Sequence, residues 1–189
     1  PGPSRDTAST APHGTQGRRR NLHTPRERVR DLPDRLSVPV AASEGRQQLL
    51  DAVAAAADQL ALALSALTEA YEHLDEASAE RMEEGLFRPI QAAYGRARRT
   101  HATFAERHDL PPREFSMPAA GPPRLGAKAL IERAIEDVES ADTTLISLQD
   151  SLAPVEFGDR ELREGLAQVR TTLESSRGQA RELLRTLGR

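Results

Sequence analysis

Cysteine is absent, tryptophan is absent, and lysine occurs once, at Lys128. Without thiols the chain can form no disulfide, no thiolate nucleophile and no Cys-based zinc or iron–sulfur site, although the redox compartment stays open. Aromatic residues make up only 3% of the chain. A core must therefore be built from Leu, Ala, Ile and Val, which suits helices better than strands, since strands favour β-branched and aromatic residues. A run long enough to span a membrane is also missing, because a span needs about 20 consecutive apolar residues. The longest candidate, Ala52 to Leu67, is interrupted by Asp58, Gln59 and Ser65 and reads as a core helix. The near-absence of lysine among 26 basic residues reads as a GC-rich coding bias.

Charge is unevenly spread. The net charge is −3, but residues 1–43 hold eight Arg against four acidic residues, a net +4, and the remaining residues hold 18 basic against 25 acidic, a net −7. A mildly acidic body gives no strong nucleic-acid signal. Residues 1–43 are rich in Pro, Gly, Ser, Thr and Arg without apolar period, and are expected to form a disordered tail. Its basic run includes Arg18, Arg19 and Arg20, which could dock on an acidic surface or on nucleic acid, or remain solvated. The three arginines resemble a twin-arginine export signal, but no apolar segment follows them, so no signal peptide is expected and a cytoplasmic location is. The first residue is Pro, as expected for a chain processed from, or excised out of, a longer one.

At 189 residues the chain can bury a full core. That core announces itself between Leu50 and Leu74, where Leu50, Val53, Ala57, Leu60, Leu64, Leu67, Tyr71 and Leu74 recur at alternating steps of three and four. This is the seam of a coiled-coil-like helix. The rhythm returns in three later segments, marked by Met82 to Phe104, Ile131 to Leu152 and Leu162 to Leu187. The expected helices are about 46–74, 79–108, 125–152 and 159–187, within a domain of residues 44–189. Ser43 is the expected cap of the first helix. The break between the first two could fall at 85–89 or at 75–78. The second position is preferred because it gives helices of matched length, with Asp75 or Ser78 as cap and a kink at Pro89. Pro111 and Pro112 end the second helix, Pro154 ends the third, and Asp159 caps the fourth. An all-α antiparallel bundle in up-down-up-down order is expected. The 15-residue second connection, 109–123, could instead cross the bundle end. Within it, Phe115 and Met117 are expected to tuck over one end of the core.

Chemistry is harder to find. Helical bundles hold metals with Glu and Glu-x-x-His units, and no Glu-x-x-His occurs here. Glu69 and His73 lie four apart near Glu72 and Glu76, but off the seam, and read as a solvated acidic face. No catalytic residue, metal ligand or cofactor is assigned. Arg88, Arg96, Arg99 and Arg107 give the second helix a basic side that either pairs with neighbouring acids or, through Arg96 and Arg99, meets a partner. If heights are counted from the end carrying Arg46, then Ala57, Ala97, Thr100, Ala134, Ser176 and Ala180 share one layer of small side chains. Either the helices close together there, or they leave a ligand pocket lined by Thr100, His101 and Ser176.

Arg96 to His101 also fits an Arg-x4-His spacing, with Ala97 where a polar residue commonly follows the Arg. The spacing resembles the motif of the HEPN-type helical ribonucleases. That resemblance implies RNA cleavage by Arg96 and His101 on paired helices. The reading that the chain as a whole favours is a non-enzymatic bundle that binds a protein partner or itself. A small-ligand or metal-binding bundle and the ribonuclease are the alternatives.

Overall fold

A computed structural model describes residues 37–118 and 125–187. Residues 1–36, with Arg18, Arg19 and Arg20, lie outside the described ones. The elements are α1 (Ser37–Tyr71), α2 (Glu76–Met82), a π-helical turn (Glu83–Phe87), α3 (Arg88–Arg107), α4 (Ala127–Asp150), the short α5 (Ala153–Glu156) and α6 (Arg160–Leu187). No strand occurs among the described residues. The four rods are α1, then α2 through α3 as one, then α4 and α6, so the expected all-α bundle is what the chain forms.

Most boundaries follow from local chemistry. α1 starts at Ser37 rather than Arg46, so residues 37–43, expected in the tail, supply its first turns. Pro39 falls in the first turn, where a missing N–H costs nothing. The tight turn after α1 is closed by Asp75, whose carboxylate accepts the Ser78 amide at 3.0 Å as the cap of α2. Pro89 does not break the second rod. The turn just upstream widens into a π-turn, with the Arg88 amide reaching Glu83 O, which accommodates a ring that would otherwise press on the carbonyl one turn back. α3 ends in a Schellman-type turn: the Leu110 amide reaches Ala105 O at 2.9 Å, and Asp109 takes the left-handed conformation at φ 52°. Pro154 does more than stop α4, since it opens the one-turn α5. Asp159 caps α6 through the Leu162 amide at 2.7 Å.

Neighbouring rods are all antiparallel, but the chain visits them in up-down-down-up order. Two sets of contacts show this. Gly165 near the start of α6 lies against Thr100 near the end of α3, while Gln179 near the end of α6 lies against Gly85. Along the α1–α4 seam, Gln48 and Ala52 face Ser147 and Ser151, whereas Gln59 faces Glu136. The third rod therefore runs the same way as the second. The long second connection carries the chain back along the bundle rather than around one end. Its described part climbs the flank of α1, with Arg113 on Asp58 at 2.7 Å and the Ser65 hydroxyl donating to Pro118 O at 3.3 Å. One long crossover of this kind is a known way to connect a four-helix bundle.

α1 is the central rod. Leu49, Leu50, Val53, Ala56, Ala57, Leu60, Ala63, Leu64 and Leu67 are all buried, because α3, α4 and the climbing connection cover several of its sides. Leu49, next to the seam residue Leu50, and Leu130 on α4 are buried in the same core. Each fully buried Leu contributes about 1.5–3 kcal/mol relative to exposure. Tyr71, placed on the seam by its spacing, is instead 48% exposed because the helix ends there. By length and composition α1 is apolar enough to cross a membrane, with a mean hydropathy of 1.5, but 67% of that window is buried inside the bundle.

Polar clamps fix the ends and seams. At the base, Arg107 forks onto Asp159 at 2.9 and 3.0 Å and reaches Glu161 at 2.6 Å, and His108 lies 3.1 Å from Asp159. Burial alone would raise the Asp159 carboxyl, but the Leu162 amide, Arg107 and His108 outweigh it and hold it below its usual range. Between α4 and α6, the buried Asp142 accepts from Arg170 at 3.2 Å and from Arg177. Gly45 leaves room for the Phe157 ring, which a Cβ would approach to 2.5 Å.

Candidate functional site

The small-residue layer does not form. Thr100 is buried against the backbone of Gly165, and a Cβ added there would lie 2.7 Å from Thr100 Cγ2 and 3.1 Å from its Cβ. Here α3 and α6 touch, so on the α6 side Thr100 packs against Gly165 and not against a void. Ser176 lies 11 residues further along α6, roughly 16 Å away along the axis. Its hydroxyl donates to Leu173 O at 2.8 Å. The two were placed at one height because α6 was taken to run parallel to α3, and it runs antiparallel. Ser176 does border a different space, a cleft of about 80 Å³ shared with Leu86, Ile90, Val138, Ala180 and Leu184.

His101 is 3% exposed and its Nδ1 has no hydrogen-bond partner. It is covered by Phe115, which meets the imidazole edge-on with centroids 5.1 Å apart. Burial lowers the His101 pKa, the nearby Arg113 charge lowers it further, and Asp51 pulls the other way. The ring is therefore held neutral. Arg96 is exposed, and side chains five apart on a helix point about 140° away from each other. The two residues of the Arg-x4-His pattern thus do not face one common space.

The basic side of α3 divides into two groups. Arg107 pairs with Asp159 and Glu161, and Arg88 pairs with Glu83 at 2.9 Å, as expected of surface arginines, each pair worth about 0–1 kcal/mol. Arg96, Arg98 and Arg99 are exposed and have no carboxylate within 4.0 Å among the described residues. Two of these three border an open groove of about 360 Å³ between α3 and the climbing connection, lined by Gly95, Arg98, Arg99, Ala102, Arg113 and Phe115.

Phe115 organises that groove. Its ring is half-buried, packed on the core edge, with the guanidiniums of Arg98 and Arg113 at 5.7 and 5.2 Å from its centroid. Arg98 also lies 5.3 Å from the Tyr94 ring centre. Such cation–π contacts hold charged heads in place at about 0.5–1 kcal/mol each when exposed. The expectation for the aromatic pair is met in part: Phe115 does cover the core, but on the flank of α3 rather than at an end, and Met117 stays 50% exposed. Arg98 and Arg113 were not singled out by sequence. Arg98 sits between two more obvious arginines, and Arg113 lies in a segment with no period.

The acidic group near the tip of α1 behaves as a surface feature, with His73 3.8 Å from Glu69. Among the described residues no cluster of three His, Asp or Glu could hold a metal ion. No protein-family model, no curated protein and no solved structure matches the chain.

Proposed function

We propose that the chain is a non-enzymatic helical bundle that docks another protein on the exposed basic face of α3. The observation that supports this reading is the set of three adjacent arginines, Arg96, Arg98 and Arg99, standing without carboxylate partners on a body of net charge −7. Folding uses the apolar seams of the rods for the core and the other α3 arginines for clamps. These three are neutralised by no carboxylate within 4.0 Å among the described residues, although Arg98 rests on the Tyr94 and Phe115 rings, and all three are exposed to a surface of opposite charge. A second copy could supply that surface. The test is affinity capture with the full chain, alongside light scattering at micromolar concentration. A retained partner, or a dimer, that is lost in the Arg96→Gln/Arg99→Gln variant is the expected outcome. A clean monomer that retains nothing would remove the reading.

A second reading rests on the cleft of about 80 Å³ beside Ser176. It is bordered by the π-turn residue Leu86, and π-turns often mark functional positions. A small apolar ligand would fit its Leu, Ile, Val and Ala lining, with Glu139, Arg177 and Arg181 also bordering the space. Native mass spectrometry of the purified full chain tests this, and a mass equal to the bare polypeptide after gentle purification counts against it.

A further inference from the structure

The groove beside Phe115 is more specific than the arginine face as a whole. Its lining supplies three guanidiniums, from Arg98, Arg99 and Arg113, and no carboxylate. Arg113 is already paired with Asp58 at 2.7 Å, both side chains 45% exposed, so an incoming carboxylate shares that guanidinium with it. The nearby acids lie outside the lining: Glu106 one turn beyond Ala102 on α3, and Glu114, exposed, between Arg113 and Phe115 on the connection. Gly95 and Ala102 keep the floor low, since neither carries a side chain that could fill the groove.

Three observations decide what such a groove takes. First, the lining carries three positive charges, which suits an anionic occupant. Second, the ring in its lining is already engaged by cations: the guanidiniums of Arg98 and Arg113 lie 5.7 and 5.2 Å from the Phe115 centroid, where a nucleobase would have to stack. Base stacking on an aromatic platform is what single-stranded nucleic-acid sites use. Third, the arginines come from two sides, Arg98 and Arg99 from α3 and Arg113 from the connection. From Gly95 to Ala102 the helix rises about 10 Å, the length of roughly three residues of extended chain at about 3.3 Å each. Carboxylates on alternate residues of a strand would then meet guanidiniums whose fork geometry suits them.

We propose that this groove receives an extended acidic peptide segment of a partner protein, its Asp and Glu carboxylates held by Arg98, Arg99 and Arg113. The proposal rests on the docking function above and assigns it a ligand chemistry and a place. Phe115 is a positioning residue here: it fixes two of the guanidiniums and shields His101.

The test is fluorescence anisotropy of the full chain with three labelled probes: a peptide of alternating Glu and Gly, its Gln counterpart, and an oligothymidine of equal charge. The Glu peptide should bind saturably and the Gln peptide should not. Arg98→Gln/Arg99→Gln should weaken binding at least about tenfold, since two charge-assisted contacts are removed. Ala102→Glu, which places a carboxylate on the groove floor, should do the same, and Arg185→Gln on the far end of α6 should change nothing. Circular dichroism confirms that each variant is folded. Absence of saturable Glu-peptide binding, an equal loss in Arg185→Gln, or displacement by oligothymidine as effective as by the Glu peptide would each overturn the proposal. A partner captured by the full chain and not displaced by the Glu peptide would overturn this groove while leaving the docking function in place. Capture of nothing would remove both.

Discussion

Gly165 and Gly178 offer a pair of like substitutions with different expected effects. Both lie inside α6, where replacing Gly with Ala normally gains about 1 kcal/mol in helix propensity. At Gly178 a new Cβ meets nothing within 4 Å, so Gly178→Ala should realise that gain. At Gly165 it would lie 2.7 Å from Thr100 Cγ2 and 3.1 Å from Thr100 Cβ. Thr100 is β-branched and buried, so its side chain has little room to rotate away. Overpacking of this kind costs about 1–3 kcal/mol. Set against the propensity gain, Gly165→Ala should be neutral to about 2 kcal/mol destabilising. The two variants should therefore differ by about 1–3 kcal/mol, or several degrees in Tm for a domain of this size. Urea unfolding followed at the helical circular-dichroism band measures it. Adding Thr100→Ala to Gly165→Ala removes Cγ2 and the hydroxyl and should recover part of the loss, a coupling that a double-mutant cycle isolates. If Gly165→Ala stabilises as much as Gly178→Ala, α3 and α6 do not meet at Thr100, and the antiparallel register argued from that contact is wrong.

Asp142→Ala should destabilise by about 2 kcal/mol: breaking a buried ion pair costs about 3–5 kcal/mol, and here the cost is reduced because rehydration can relieve the partly exposed guanidiniums. Equilibrium unfolding in urea checks this, and a loss below about 0.5 kcal/mol would mean the cluster adds nothing beyond an exposed pair. His101 makes stability depend on pH. Its folded pKa lies below the ordinary 6.5 because of burial, so the unfolded chain takes up a proton first as pH falls. The full contribution of His101 is present above about pH 6.5 and is lost as pH drops through the depressed folded value. His101→Leu should flatten the fall in urea midpoint between about pH 7 and 5 relative to the wild type, and identical slopes would refute the assignment.

Much of the bundle could be read from the chain because burial leaves a period. The seams at Leu60, Leu64 and Leu67, at Ile90, Ala93 and Ala97, and at Leu166, Val169 and Leu173 are where the core is. Asp75 and Asp159 could be recognised as caps because an acceptor side chain before an apolar-periodic run has few other uses. The direction of the third rod could not be read. Periodicity says which face of a helix turns inward, and is silent on which neighbour it meets or which way that neighbour runs. Ile131, Ala134 and Val138 would be buried in either order. Thr100 and Ser176 were assigned to one layer for that reason. The groove was only half visible: Arg99 stands out on a helix face, whereas Arg113 and Phe115 belong to an irregular segment and gain their meaning from where the crossover takes them.

That crossover divides the protein into two hairpins. On one side lies a hairpin of α1 with α2 and α3, on the other a hairpin of α4 with α6. The most extensive helix–helix interface joins α1 to α4, one from each. Each hairpin alone would leave a long greasy flank wet, and each carries the surface that covers the other. The molecule is in effect two complementary half-proteins tethered into one, with the tether itself, through Arg113 and Phe115, forming one wall of the groove.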